Sequence, residues 1–271
     1  MKIGISTASY FSRLHTEETF AEIAKAGADT CEVFLATHSE YTQAFADTLK
    51  AALVSDGGAT NLAVHSVHAL TNQFEPELFS KGDRAKKDAF AIFKNVCNVG
   101  QNLGAKYYTF HGATLLKKAV KYTFDYPSLG EKVNDICDVA SEYGIKLCYE
   151  NVHWAYFSTP QYFAQLENFC PSLGGVLDIK QAMQSKIDYR EFLDVLKGRL
   201  CTVHVCDYDN DGNLTIPGKG NFDFVDMFKR LLDIGFDGAC LLEVYSQNYG
   251  DVAEVAESYQ YLKHCFEIAN K

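Results

Sequence analysis

The chain has 271 residues, 47% of them hydrophobic, and a formal charge of −10 from 35 acidic and 25 basic side chains. That balance repels phosphate backbones and argues against a nucleic-acid partner, and no apolar run reaches the roughly 18 residues a membrane helix needs. The nine cysteines are odd in number and form no C-x-x-C pair, so they read as reduced, mostly buried thiols of a soluble cytoplasmic protein.

The opening MKIGISTASYF looks like a first strand, KIGIS (2–6), with no long apolar core leading to a cleavage site. Helix-period TEETFAEIAKAG (16–27) follows, then strand TCEVF (30–34), helical YTQAFADTLKAALVSDG (41–57) and strand LAVHSV (62–67). A long helical segment (83–104) leads to strand KYYTF (106–110), and another (126–144) to KLCYE (146–150). GGVLD (174–178) and CTVHV (201–205) are the next strands; helical FVDMFKRLLDIG (224–235), strand ACLLE (239–243) and a last helical segment (252–270) complete the pattern. Gly27, Gly104, Gly144 and Gly235 close helices just ahead of strands, where a left-handed position favours glycine.

Strands that are apolar on both faces and alternate with helices define a parallel sheet. Eight of them make either a doubly wound sheet or a closed barrel. A dinucleotide-binding sheet would want G-x-G-x-x-G after its first strand, and Ser6-Thr7-Ala8-Ser9-Tyr10 has none. No linker, low-complexity run or charge block divides the chain. The expectation is one (β/α)₈ TIM barrel over residues 1–271.

Barrel enzymes work at the C-terminal ends of their strands, and polar residues concentrate there: Glu32, His65 and His68, His111, then Glu150, Asp178, His204 and Glu243. The last four end strongly apolar strands, where a lone charge is costly unless paired or bound to a cation. Ion pairs across the barrel mouth would satisfy any one of them. Four on consecutive strands, with few basic residues at matching ends, favour one divalent ion. Three carboxylates and an imidazole suit Mn²⁺ or Mg²⁺, with Co²⁺ or Zn²⁺ as alternatives.

The set YEN, LD, HVCD with GKGNFDF, and LLEVY resembles the xylose-isomerase-like barrel superfamily, which includes sugar isomerases, ketose 3-epimerases, inosose dehydratases and apurinic endonucleases. The likeness covers nearly the whole chain, and its most specific piece is H-x-x-D followed by G-K-G-N-F-D-F. The resemblance implies that Glu150, Asp178, His204 and Glu243 bind one metal. It also implies that Glu150 and Glu243 exchange protons with a small sugar or polyol through an enediolate. Where the superfamily often has D-x-x-H, this chain has Asp178-Ile179-Lys180-Gln181, which leaves the substrate and the reaction open. The three-zinc endonuclease set is incomplete: its histidines are absent at Gln181 and from the loop 209–216.

Substrate contacts are expected from His68, His111, Trp154 in the loop after Glu150, and Lys219 in the glycine-flanked loop; each also has an ordinary structural reading. By the two-residue strand period His65 faces the other side from His68, unless a bulge intervenes. Asp207 either orients His204 or begins the loop turn, and Glu32 either shapes the pocket or forms a structural ion pair. A metal-dependent dehydratase of the inosose or dehydroshikimate type would use the same site, so a lyase is the runner-up to an isomerase. A non-catalytic sugar-binding barrel is the third reading. A homo-oligomer is compatible with the aromatic-rich C-terminal helix.

Overall fold

Runs rich in leucine, valine, tyrosine and cysteine become parallel strands where both faces meet apolar partners, the barrel interior on one side and helices on the other. The computed structural model describes residues 1–55, 62–70, 74–115 and 122–271. Its barrel strands are β1 (Lys2–Ser6), β2 (Thr30–Leu35), β3 (Ala63–Ala69), β4 (Tyr107–Phe110), β5 (Lys146–Glu150), β6 (Gly174–Asp178), β7 (Leu200–Val205) and β10 (Ala239–Leu242). A two-stranded hairpin, β8 (Asp207–Tyr208) with β9 (Leu214–Thr215), lies in the loop after β7. The barrel closes in the order β1-β10-β7-β6-β5-β4-β3-β2, and every paired neighbour is parallel. Glu243 lies one residue past β10, yet its amide donates to the Val205 carbonyl at 3.0 Å, so the ladder continues through it.

Helices α1 (Thr16–Lys25), α2 (Gln43–Ser55), α3 (Asp83–Leu103), α4 (Tyr126–Glu142), α8 (Phe224–Asp233) and α9 (Ala253–Ala269) fall on the six helical segments expected from sequence; the last two residues expected for α2, 56–57, lie outside the described residues. Gly104 and Gly144 end their helices at φ +76° and +69°, with open space where a Cβ would sit, so backbone conformation and not crowding calls for glycine. Three short helices, α5 (Pro160–Leu166), α6 (Ile179–Gln184) and α7 (Tyr189–Leu196), were not expected. Six to eight residues span too few turns for a helical period to stand out. One apolar cluster joins strands and helices; each fully buried member such as Phe93, Leu231 or Leu262 contributes about 1.5–3 kcal/mol.

Two register shifts aim the site residues. Cys31 pairs with Val64 but Glu32 with Ser66, so His65 is an extra residue on β3. This is the bulge that the two-residue period needed: His65 Nε2 reaches Thr202 Oγ1 across the barrel at 2.9 Å, and Ser66 Oγ donates to Glu32 Oε2 at 2.7 Å. On the far side Gly175 pairs with Leu200 but Val176 with Thr202, which sets Asp178 directly opposite His204.

Candidate metal centre and pocket

Glu150, Asp178, His204 and Glu243 all reach the C-terminal end of the barrel, and all are buried. Their neighbours hold them in place. Asn151 Nδ2 donates to the Asp178 carbonyl at 2.9 Å, while the Asp178 amide donates back to Asn151 Oδ1 at 2.7 Å. Asp178 also caps α6 through Oδ1, which accepts from the Gln181 amide at 3.0 Å. That leaves Oδ2 for the site.

His204 sits at the centre. Its Nδ1 lies 2.8 Å from Glu150 Oε1 and 3.0 Å from Glu243 Oε2, and its Nε2 lies 3.1 Å from Glu32 Oε1. Glu32 is itself fully buried and accepts from Ser6, Ser66 and Thr109, so it forms the floor beneath the imidazole. His68 Nδ1 stands 3.5 Å from Glu32 Oε1, His68 Nε2 lies 3.1 Å from His111 Nε2, and His111 closes on Glu150 Oε2. Lys180, 3% exposed, places Nζ 3.0 Å from Glu243 Oε1 and 3.4 Å from Asp178 Oδ2.

These contacts shift the titration of the three carboxylates and of Lys180. Burial opposes charge on Glu150, but His111 and His204 outweigh it and hold the carboxyl down at about 2. Burial likewise opposes charge on Glu243, and His204 and Lys180 bring its pKa well below the usual carboxylate range. Asp178 goes the other way: burial, helped by Glu150 and Glu243 and resisted by Lys180, pushes it up to about 6. Burial works against the Lys180 ammonium, yet Asp178 and Glu243 keep its pKa well above that of an ordinary lysine.

The donor set fits a divalent cation. Glu150, Asp178 and His204 offer ligand atoms within 4.8 Å of one another, and Glu32, His204 and Glu243 form a second such group that shares the imidazole. Glu150 Oε2, Asp178 Oδ2 and Glu243 Oε2 are within ion-pair reach of His111, Lys180 and His204, yet none accepts a directed hydrogen bond. Buried carboxylate oxygens left so are what a bound cation would satisfy. Three of the four expected ligands therefore cluster directly, and Glu243 joins through His204. The ion-pair alternative is met in part as well, by Lys180.

Above this floor opens a cavity of about 700 Å³, lined among the described residues by Glu150, Asp178, Lys180, Glu243, His68 and His111 on its polar side. Trp154 meets the edge of His111 at 5.5 Å between ring centroids and forms part of an otherwise apolar wall with Phe11, Phe34, Leu70 and Tyr245. Gln181 also lines it, with Oε1 accepting from His153 Nδ1 at 2.7 Å. Lys219 is not brought to the cavity. Its side chain is half exposed and pairs with Glu254, because the loop turns the lysine outward between its glycines. Asp207 does not touch His204 either: its carboxylate accepts the amides of Tyr208, Gly218, Gly220 and Phe222 at 2.8–3.1 Å. The aspartate of H-x-x-D thus fastens the G-K-G-N-F-D-F loop, and a Cβ at Gly220 would lie 2.3 Å from Asp207 Oδ1.

Sequence reasoning missed Glu75, a fully buried carboxylate that accepts from Tyr108 Oη at 2.8 Å and from the amides of His111 and Gly112 at 2.9 and 3.0 Å. It holds the turn that presents His111. Its only sequence signal is an acid beside a proline in FEPEL.

Fold and site together define a TIM barrel with a buried carboxylate–histidine cluster at the C-terminal ends of its strands, whose donor atoms could hold a cation. The chain belongs to the xylose isomerase-like TIM barrel family, whose model matches residues 20–265. Over its full length it is similar to a D-tagatose 3-epimerase-like protein (21% identity, TM-score 0.79, 100% and 98% of the two chains covered). It is also similar to the D-psicose 3-epimerase of Clostridium cellulolyticum H10, solved with D-tagatose (17%, 0.76, 99% and 99%). A third similar structure is the IolI protein with a bound zinc atom (18%, 0.74, 98% and 98%). The uncharacterized protein MJ1311 of Methanocaldococcus jannaschii is 29% identical over 149 residues, 51% of this chain. The match spans about half the length of that relative, 48%. Among the described residues no helix is long and apolar enough to cross a membrane.

Proposed function

We propose that this chain is a divalent-metal-dependent sugar isomerase or epimerase acting on an uncharged ketose or related polyol. The observation that carries the reading is the pairing of Glu150 and Glu243 at 2.8 and 3.0 Å on one imidazole nitrogen of His204, each with a buried oxygen free of directed hydrogen bonds. Similar structures of a D-tagatose 3-epimerase-like protein and of a D-psicose 3-epimerase support it.

Glu150, Asp178, His204 and Glu243 would hold the ion, with Mn²⁺ or Mg²⁺ favoured by the oxygen-rich set and Co²⁺ or Zn²⁺ as alternatives. When bound, the ion would supply Lewis acidity to a substrate carbonyl and its neighbouring hydroxyl, acidifying the C–H on the carbon that bears that hydroxyl. Glu150 ends β5 and Glu243 directly follows β10, the strands that flank β6 and β7 in the barrel order. One glutamate removes the proton on its face of the sugar and the other returns one on the opposite face. His68 and His111 orient hydroxyls, and Trp154 packs on C–H groups of the ring. Lys180 is the one lysine in the lining among the described residues, which holds no arginine there, and it is already engaged by Asp178 and Glu243, so a phosphorylated sugar finds no free lysine or arginine.

Ketoses and polyols are incubated with metal-loaded protein in deuterated water. Epimerisation with deuterium uptake supports the reading, loss of water from the product shifts it to the dehydratase, and binding without exchange leaves a sugar-binding barrel.

A further inference from the structure

Lys180 stands in the segment where the superfamily often has a histidine, and sequence alone leaves it open between a pocket contact and an exposed position; the structure buries it, 3% exposed. The backbone explains why. α6 starts directly at Asp178, so the second residue of its first turn folds back over the strand end, and the ammonium lodges between Asp178 Oδ2 at 3.4 Å and Glu243 Oε1 at 3.0 Å. The Tyr245 ring covers it, with Nζ 4.6 Å from the centroid. Among the described residues no other lysine or arginine pairs with Glu150, Asp178 or Glu243. A fixed positive charge therefore sits against two of the four groups that the proposed function assigns to the ion. A divalent cation drawn to the same carboxylates meets a like charge in a dry site, where repulsion is weakly screened.

We propose that Lys180 is a built-in competitor for the metal: its ammonium holds Asp178 and Glu243 together in the metal-free protein and weakens the affinity of the site for the divalent ion. The inference rests on the metal-site reading above. It has a signature that a purely structural lysine lacks, because removing the charge acts in opposite directions on the two states. The metal-free protein loses the partner of two buried carboxylates, and the metal-loaded protein loses a repulsion.

The test is calorimetric titration of Mn²⁺ and Co²⁺ into chelator-stripped protein, alongside thermal unfolding of the same stripped samples. Lys180→Gln and Lys180→Met, the latter filling similar volume without charge, are each expected to bind the ion about tenfold more tightly or better and to unfold at lower temperature when stripped. Lys180→Arg keeps the charge and is expected to bind within about threefold of the native protein. Two neutral variants guard against a folding failure in one. Native protein that binds the ion while the neutral variants bind it equally or more weakly overturns the inference and leaves the metal site standing. No binding by the native protein or by either neutral variant overturns both.

Discussion

Asn151 and Asp178 exchange a pair of hydrogen bonds, side-chain amide to backbone in both directions, that lock the end of β5 to the end of β6. Glu150 and Asp178 are thereby fixed relative to each other before any ligand arrives. Buried groups left unpaired cost about 1–3 kcal/mol each, and partners that orient metal ligands commonly change affinity by about 10–100-fold. Asn151→Ala is expected to lower the melting temperature and weaken divalent-ion binding by about tenfold or more, read by calorimetry. Unchanged affinity would mean that the ligand geometry does not depend on this lock.

Asp207 is the anchor of the loop after β7. Four backbone amides converge on its carboxylate, and hydrogen bonds to a charged group are the stronger kind. Asp207→Ala is expected to cost on the order of 3 kcal/mol of stability in denaturant titration, with Asp207→Asn intermediate because one side-chain oxygen remains to accept.

Lys219 is expected to be dispensable. An exposed, solvent-screened pair such as Lys219 with Glu254 contributes little to stability. Lys219→Ala should leave the KM for any turned-over sugar unchanged within about twofold. A large rise in KM would mean that the loop swings the lysine into the cavity.

His65 makes the fold pH-sensitive from inside the barrel. Burial lowers its pKa from 6.5 to about 4. Between those values the unfolded chain binds the proton and the folded chain does not. The stability that His65 contributes is therefore present above pH 6.5 and is lost as pH falls towards 4. The full window is worth at most about 3 kcal/mol. His65→Gln should flatten the fall in melting temperature between pH 7 and 5 relative to the native chain. An equal slope in both proteins would remove His65 as its source.

The barrel and the four strand-end residues were legible because each signal is local: an apolar run, a terminal acid or histidine, a glycine before the next strand. Contacts across the barrel were not. Lys180 reads equally well as a stand-in for the missing histidine or as an exposed position until α6 is seen to begin at Asp178 without a loop. Helices α5, α6 and α7 are too short to show a period. Lys219 and Asp207 stand in the most specific motif of the chain, yet one points outward and the other binds its own loop, since a motif fixes spacing and not the direction in which a side chain points.

The central claim is that Glu150 and Glu243 move protons at a metal-held sugar. It is tested most directly by following deuterium from solvent into a turned-over ketose, for the native protein and for Glu150→Gln and Glu243→Gln, with the metal content of each measured in parallel. The account predicts deuterium at the carbon beside the carbonyl with the native protein, a fall of about 10²–10⁴-fold in epimerisation with either variant, and metal still bound in both. Undiminished epimerisation in either variant, or turnover without any deuterium uptake, would contradict it.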